Sequence, residues 1–399
     1  MHYLADTDAL VADRTLTTDQ ARIIQRHSRQ AMVSLSINTL LCAGIIAAAF
    51  GFTFWLANAL AVAITGALFL GIGVLILRSG SDLYRMFGNA AALIGGGMLA
   101  GGATIELIDK YPSGIAALAL IVAGAVVALI AGYAFRRGTK TRFVTGSVLL
   151  MGNAMHLVGI YYGMSEADLN GWPVPLSHLY ATILIVAAGV FIDVRAITAL
   201  AITPFAQMLD TTTYYFHAAY VFYSPESTLS ILQLGLLIFA SIWVARTQPE
   251  RIGRHAGILA IMAFIVASLC ALVGSLWGDV VGSSYWEPTY DYGEQSWDEY
   301  QAARAAFEAT TLVISEQVYA ILWAIALAAS AFWAAHKNRR GLFNAAMTFG
   351  GIHAYTQMFE TFYDEPLAYV IGGLAAIPLA WGLWRLNDIF RDADERVAV

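Results

Sequence analysis

Ala31 to Leu77 reads AMVSLSINTL LCAGIIAAAF GFTFWLANAL AVAITGALFL GIGVLIL, 47 residues without one formal charge. A bilayer core of roughly 30 Å takes about 20 apolar residues of helix, because only a helix or a closed barrel satisfies its own backbone in lipid. The stretch is therefore two crossings, with a turn expected between Gly51 and Asn58. Similar runs recur near Gly88–Ile108, Gly114–Phe135, Phe143–Gly163, Pro175–Ile192, Ala196–Tyr223, Ser227–Ala245, Gly257–Trp277, Leu312–Ala335, Leu342–Glu360 and Leu367–Trp384. The expected fold is all-α, a polytopic membrane helical bundle of about twelve transmembrane helices.

Charge placement orients that bundle. Twelve crossings from an inside amino terminus leave 20 of the 22 basic residues on the inner side, with only Lys110 and Arg304 outside. This is the Lys/Arg bias of cytoplasmic loops, so both termini are expected to be cytoplasmic. Three parts follow: a cytosolic segment 1–30, a transmembrane domain 31–385 with an external loop 278–310, and a cytosolic tail 386–399. The first 30 residues carry four Asp and four Arg and no signal-peptide core. Thr17 and Gln20 form a capping-box pattern, and a short amphipathic helix is expected to lead into the first span.

Composition narrows function by exclusion. The chain is 59% hydrophobic and 13% charged, which excludes a soluble enzyme. Its net charge of −6 gives no footprint for nucleic acid. Cys42 and Cys270 both sit in apolar runs and read as small core residues rather than as a disulfide or metal framework. No phosphate-binding glycine loop and no G-x-S-x-G motif are present, and no cofactor is expected. The first six and last six spans show no convincing match to each other.

The segment Arg14-Thr15-Leu16-Thr17-Thr18-Asp19-Gln20-Ala21-Arg22-Ile23-Ile24 resembles the opening motif of a bacterial family of multi-pass membrane proteins, domain of unknown function 2157. Asn344-Ala345-Ala346, Ile371-Gly372-Gly373 and Ala380-Trp381-Gly382-Leu383-Trp384-Arg385 are similar to the last two helices of that family. The family usually has glycine where this chain has Arg14. The resemblance implies a bacterial cytoplasmic (inner) membrane protein with no assigned reaction.

Ionisable groups inside spans cost a few kcal/mol each on insertion scales, so they are the first candidates for function. Asp210 and His217, seven residues apart, share one face of the seventh span beyond Pro204, with Gln207 and Thr211 to Thr213 beside them. His353, Gln357 and Glu360 form a stripe on the eleventh span, and Asn153 and His156 a shorter one on the fifth. Glu106 closes the third span, His178 opens the sixth and Glu316 opens the tenth. These groups lie mostly in the outer half, so an outward-facing polar cavity is expected. Asp210 would carry a coupling charge and His217 would relay a proton. The same side chains serve equally as hydrogen-bonded interhelical contacts. If the stripes of His156, Asp210, His217, His353 and Glu360 converged, they would offer ligands for zinc, but no local metal motif is present and no metal site is expected.

Ile94 to Ala103 is dense in glycine, with Gly97 and Gly101 at GxxxG spacing, and points to close helix packing or to a local unwinding. The loop 278–310 carries Asp279, Glu287, Asp291, Glu294, Asp298, Glu299 and Glu308 against Arg304, interleaved with Tyr and Trp. It suits capture of cations or sugars, or docking of a protein partner. A short helix is expected from Trp297 to Phe307. The leading expectation is a secondary transporter or permease-like protein in contact with membrane lipids. The alternatives are a scaffold or assembly subunit docking through the external loop, and an envelope enzyme working with His and carboxylates.

Overall fold

A computed structural model describes residues 7–56, 58–79, 85–138, 140–209, 226–290, 295–362 and scattered positions from 365 to 385. The helices run α1 (Thr7–Ala12), α2 (Thr18–Leu56), α3 (Ala59–Ser79), α4 (Arg85–Lys110), α5 (Ser113–Arg137), α6 (Arg142–Glu166) and α7 (Pro173–Ile192). They continue as α8 (Arg195–Leu200), α9 (Ile202–Gln207), α10 (Ser227–Thr247), α11 (Glu250–Trp277), α12 (Ser283–Trp286), α13 (Trp297–Thr310), α14 (Glu316–His336) and α15 (Arg340–Phe362). Two short strands, β1 (Asp279–Val280) and β2 (Val313–Ile314), pair antiparallel. The chain forms two compact units, Met1–Ser177 and His178–Val399.

Eight of the described helices are long and apolar enough to cross a membrane. Their faces are arranged for lipid. On α10, Leu232, Leu236, Phe239 and Trp243 recur at helical spacing and are exposed, while Ser230, Leu234 and Ser241 are buried. An apolar outside over a core rich in small and polar residues inverts the pattern of a soluble bundle. Hydroxyls within these helices bond back to the carbonyl one turn earlier, as Thr104 does to Ala100 at 2.8 Å and Ser268 to Phe264 at 2.8 Å, so they need no water.

Helix starts follow local chemistry. The Thr17–Gln20 capping box forms in both directions, at 3.0 and 3.3 Å. The helix it opens does not stop short: α2 runs 39 residues without a break, about 58 Å by helix rise and so about twice the hydrocarbon thickness. The turn expected between Gly51 and Asn58 falls at its far end, where Asn58 Oδ1 caps α3 through the Ala61 amide at 3.0 Å.

In the first unit, α3–α4 and α5–α6 are two hairpins built on one template. A methyl group on Gly66 would lie 2.7 Å from the Gly95 carbonyl and would strike the Leu99 amide; one on Gly124 would lie 2.7 Å from the Gly152 carbonyl and strike the His156 amide. One on Gly102 would lie 2.7 Å from the Ala59 carbonyl and 2.7 Å from the Ala63 nitrogen. Its counterpart on Gly159 would lie 2.9 Å from the Ala117 carbonyl and 2.7 Å from the Ile121 nitrogen. Ala59, Ala63 and Gly66 thus answer in register to Ala117, Ile121 and Gly124, and Gly95, Leu99 and Gly102 to Gly152, His156 and Gly159. The repeat exists at the scale of a hairpin rather than of six spans, which is why comparing halves of the chain misses it.

Close packing in α4 is carried by Gly95 and Gly102, not by the GxxxG pair. Among the described residues nothing lies within 4 Å of a methyl group on Gly101, and one on Gly97 meets only the Met151 methyl at 3.9 Å. The helix runs unbroken through the glycine-rich stretch, so there is no unwinding.

In the second unit α11 is the central helix. Ala263, Ala267 and Cys270 pack with Ile202 and Leu234 in one core, and Phe264 with Leu327 and Ala346 in another. The seventh expected span departs from a single helix in its described part. Pro204 has no N–H to give the Leu200 carbonyl, and the helix breaks there into α8 and α9. The tenth span begins later than Leu312, because Leu312 to Ile314 are extended and bond to Val281 and β1. The bundle is therefore all-helical apart from this two-residue ladder. The expected external helix is α13, opened by a Ser296–Glu299 capping box.

Candidate functional site

Two carboxylates are buried at one end of the second unit, Glu226 at 3% and Asp279 at 8% exposure. Both are held by donors. Glu226, the residue before α10, accepts the Gly282 amide at 2.7 Å and the Ser284 amide at 3.3 Å. Asp279 accepts the Thr228 amide at 2.7 Å, the Thr228 hydroxyl, and the Tyr319 hydroxyl at 3.1 Å. Thr228 lies in the first turn of α10, so Asp279 caps that helix from the far side of α11, where the orphan amides and the helix dipole favour an anion.

The backbone makes this geometry. Gly278 ends α11 at φ +68°, and a methyl group there would lie 2.7 Å from the Ile314 carbonyl across the strand pair. Gly282 follows at φ +89° and turns its amide onto Glu226. Both positions demand the left-handed conformation that glycine adopts freely. The two strands clamp the end of α11 beside the start of α14, which delivers the Tyr319 hydroxyl to Asp279 and to Thr228 Oγ1, the latter at 2.6 Å.

From this knot polar contacts continue along α11 and α15. Gln357 donates to the Ser275 hydroxyl at 3.2 Å, one turn of helix before Asp279. His353, 7% exposed, bonds through Nε2 to the Ala320 carbonyl at 2.9 Å, next to Tyr319. Its Nδ1 is buried and has no hydrogen-bond partner among the described residues. Three polar groups thus lie at this end of the apolar unit: Glu226 on its two amides, Asp279 with Thr228 and Tyr319, and Ser275 with Gln357.

The other expected site residues scatter. Asp210 and His217 lie outside the described residues, as does the side chain of Glu360. Glu106 pairs with Lys110 at 2.9 Å at the end of its own helix. His156 Nδ1 bonds to the Ile121 carbonyl at 2.8 Å inside the α5–α6 hairpin. Glu316 is exposed and meets the neighbouring Gln317 amide at 2.5 Å. Of the described members of the expected set, Gln357 bonds to Ser275 and His353 to the Ala320 carbonyl beside Tyr319. Among the described residues no three His, Cys, Asp or Glu side chains stand close enough to hold a metal.

Sequence reasoning passed over Glu226 because it sits between two apolar runs and reads as loop, and it took Asp279 as one acid of a solvated loop. One signal was available. Asp279 follows directly on the apolar run that ends at Trp277, and Gly278 and Gly282 bracket it as turn residues. Beyond the knot the segment around α13 is exposed: no residue of α13 is buried. Arg304 is bound by Glu287 at 2.8 Å and Glu308 at 3.1 Å, and their charge raises its pKa further. Tyr290, Trp297 and Tyr300 pack ring against ring with centroids 5.4 Å apart.

Together the apolar outer faces and the eight long helices are the build of a multi-pass membrane protein. No family model, characterised protein or solved structure matches the chain.

Proposed function

We propose that this chain is a secondary transporter of the cytoplasmic membrane, with twelve spans, both termini inside and a polar site at the outer end of its second unit. The observation that carries the reading is the buried pair Glu226 and Asp279 at the ends of apolar helices. Buried polar groups in such helices are costly to insert, and among the described residues both carboxyls are met by amides and hydroxyls rather than by a basic side chain. Two such carboxylates suit a cationic solute or a coupling proton. We assign Asp210 and His217, which precede Glu226 by 16 and 9 residues, to the same pathway on their chemistry alone, and His353 and Gln357 lie on its α15 side. The resemblance to the bacterial family of unknown function supplies the bacterial inner membrane as the setting.

The test is electrophysiology on a solid-supported membrane, using proteoliposomes of the full chain, a pH gradient and a library of small organic cations, sugars and anions. The reading expects a solute-evoked current that falls at least tenfold in Asp279→Asn, Glu226→Gln and Asp210→Asn. No current from the wild type across the library, or a current unchanged by all three substitutions, contradicts it.

A second reading draws on the exposed α13. As a scaffold subunit the chain would dock a partner through residues 285–300. Deleting that segment would then release a co-purifying protein, and an unchanged set of partners removes this alternative.

A further inference from the structure

A second buried ionisable group stands at the opposite end of α11. His255 is 1% exposed and lies about 30 Å from Ser275 by helix rise. Both of its ring nitrogens are bonded: Nδ1 to the Thr198 hydroxyl at 2.6 Å, and Nε2 to Asp193 Oδ1 at 3.1 Å. Thr198 is itself 1% exposed, whereas the Asp193 side chain is 44% exposed. The three residues therefore make an unbroken hydrogen-bonded line from the surface into the core of the second unit.

The backbone is shaped to build this line. Asp193 sits at φ +60° just past the end of α7, and its amide and that of Val194 bond back to Val190 at 3.3 Å and Gly189 at 3.0 Å. This is a Schellman helix end, where glycine is the inexpensive choice. An aspartate in the left-handed region costs about 1 kcal/mol or more, and here the side chain that glycine lacks is the one that reaches His255. Gly189 completes the fit, since a methyl group there would lie 2.7 Å from the Thr198 nitrogen. Arg251 donates to the Val190 carbonyl and, at 3.1 Å, to the Phe191 carbonyl, and its Nε lies 3.6 Å from Asp193.

The hydrogen bond from His255, with the charges of Arg251 and Arg254, holds the Asp193 carboxyl below the usual carboxylate range. Ionised Asp193 only accepts, so Nε2 carries a hydrogen, and in the neutral ring Nδ1 accepts from Thr198. The charged groups on the described elements packed at this end include Asp193, Arg195 on α8, Arg246 in the last turn of α10, and Glu250, Arg251 and Arg254 on the first turns of α11.

We infer that Asp193, His255 and Thr198 form a proton-binding relay at the inner mouth of the second unit. Uptake places one proton on the Nδ1 lone pair, and the Thr198 hydroxyl turns from donor to acceptor, so the imidazolium keeps both hydrogen bonds. Release through Asp193 takes the Nε2 proton to the surface and leaves a neutral ring that keeps its hydrogen on Nδ1, donated to the Thr198 oxygen, and the next proton from Asp193 re-enters at Nε2. The assignment of this mouth to the inner side rests on the twelve-span transporter reading; proton binding itself does not.

Nitrogen-15 histidine NMR of the full chain in nanodiscs, with His255 assigned through His255→Gln, tests the relay. The His255 ring is expected to pass reversibly between neutral and cationic forms between pH 5 and 9. In Asp193→Asn and Asp193→Gly, which both tolerate the left-handed backbone, that transition is expected to move down by about one pH unit or more. Asp193→Glu should restore part of the shift. A ring that keeps one protonation state over this range, or titrates identically without the Asp193 carboxylate, overturns the relay. In the proteoliposome assay, His255→Gln should flatten the dependence of the current on internal pH while solute binding at the outer site persists. A wild type without current defeats the transporter reading alone, because the titration still decides the relay.

Discussion

Substituting Gly124 by alanine adds one methyl group at the tightest point of the α5–α6 hairpin. The new carbon would stand 2.7 Å from the Gly152 carbonyl and 2.8 Å from the His156 Cα, both backbone atoms that no rotamer change can move. Ordinary contact needs about 3.5 Å, and the His156 amide nitrogen is struck closer still, so the helices must part by about 1 Å. That movement stretches the His156–Ile121 hydrogen bond, now 2.8 Å, past the limit of such bonds. Overpacking costs about 1–3 kcal/mol, the weakened bond adds about 1 kcal/mol, and alanine returns about 1 kcal/mol of helix propensity. The net loss is about 1–3 kcal/mol, a fall in melting temperature of roughly 3–10 °C for a unit of this size. Thermal unfolding in nanodiscs, followed by tryptophan fluorescence, reads it out. Gly101→Ala is the control, because nothing among the described residues lies within 4 Å of that position and the propensity gain remains. Gly66→Ala should cost less than Gly124→Ala, since Leu99 stands in the first hairpin where His156 bonds in the second. If Gly124→Ala proves as stable as Gly101→Ala, the template proposed for the two hairpins is wrong.

Asp279→Ala strands the Thr228 amide and the Tyr319 hydroxyl in a buried site; it should destabilise by about 2–4 kcal/mol, and Asp279→Asn, which keeps one acceptor oxygen, by less than half of that in thermal unfolding. Tyr319→Phe removes one donor while Thr228 still serves Asp279, so a loss of about 1 kcal/mol is expected in the same assay. The Ser296 amide and hydroxyl hold the Glu299 carboxyl below its ordinary value of 4.5. A depressed carboxylate contributes stability above its unfolded pKa and loses it as pH falls through the folded one. Hydrogen exchange in α13, corrected for intrinsic rates, should therefore be steady from pH 8 to 6 and rise below pH 4.5; Glu299→Gln should remove that dependence, and Ser296→Ala, which keeps the backbone amide, only part of it.

The helical architecture was legible because lipid imposes length and apolarity on each crossing, and the charge-free run from Ala31 to Leu77 admits little else. Caps were legible too, since Thr17–Gln20 and Ser296–Glu299 depend only on residues three apart. Packing was harder. Gly97 and Gly101 carry the familiar spacing, yet the contacts fall on Gly95 and Gly102, because the neighbours that decide them lie on α3. The site was read least well. Stripes such as His353–Gln357 are written in a single helix, but Glu226, Asp279 and Tyr319 come from three helices far apart in sequence. His255 was passed over for the same reason: its partners Asp193 and Thr198 are brought to it by a helix end whose geometry no local pattern announces.

The measurement that bears most directly on the account is sidedness. In a chain with Cys42→Ser and Cys270→Ser, single cysteines at Tyr285, which is exposed and follows the Ser284 amide bound by Glu226, and at Arg254, beside His255, are treated in intact cells with a membrane-impermeant thiol reagent. The account predicts that Tyr285→Cys is labelled from outside and Arg254→Cys only after the membrane is opened. Labelling of both from one side would place the acidic knot and the histidine relay on the same face of the membrane and contradict the account.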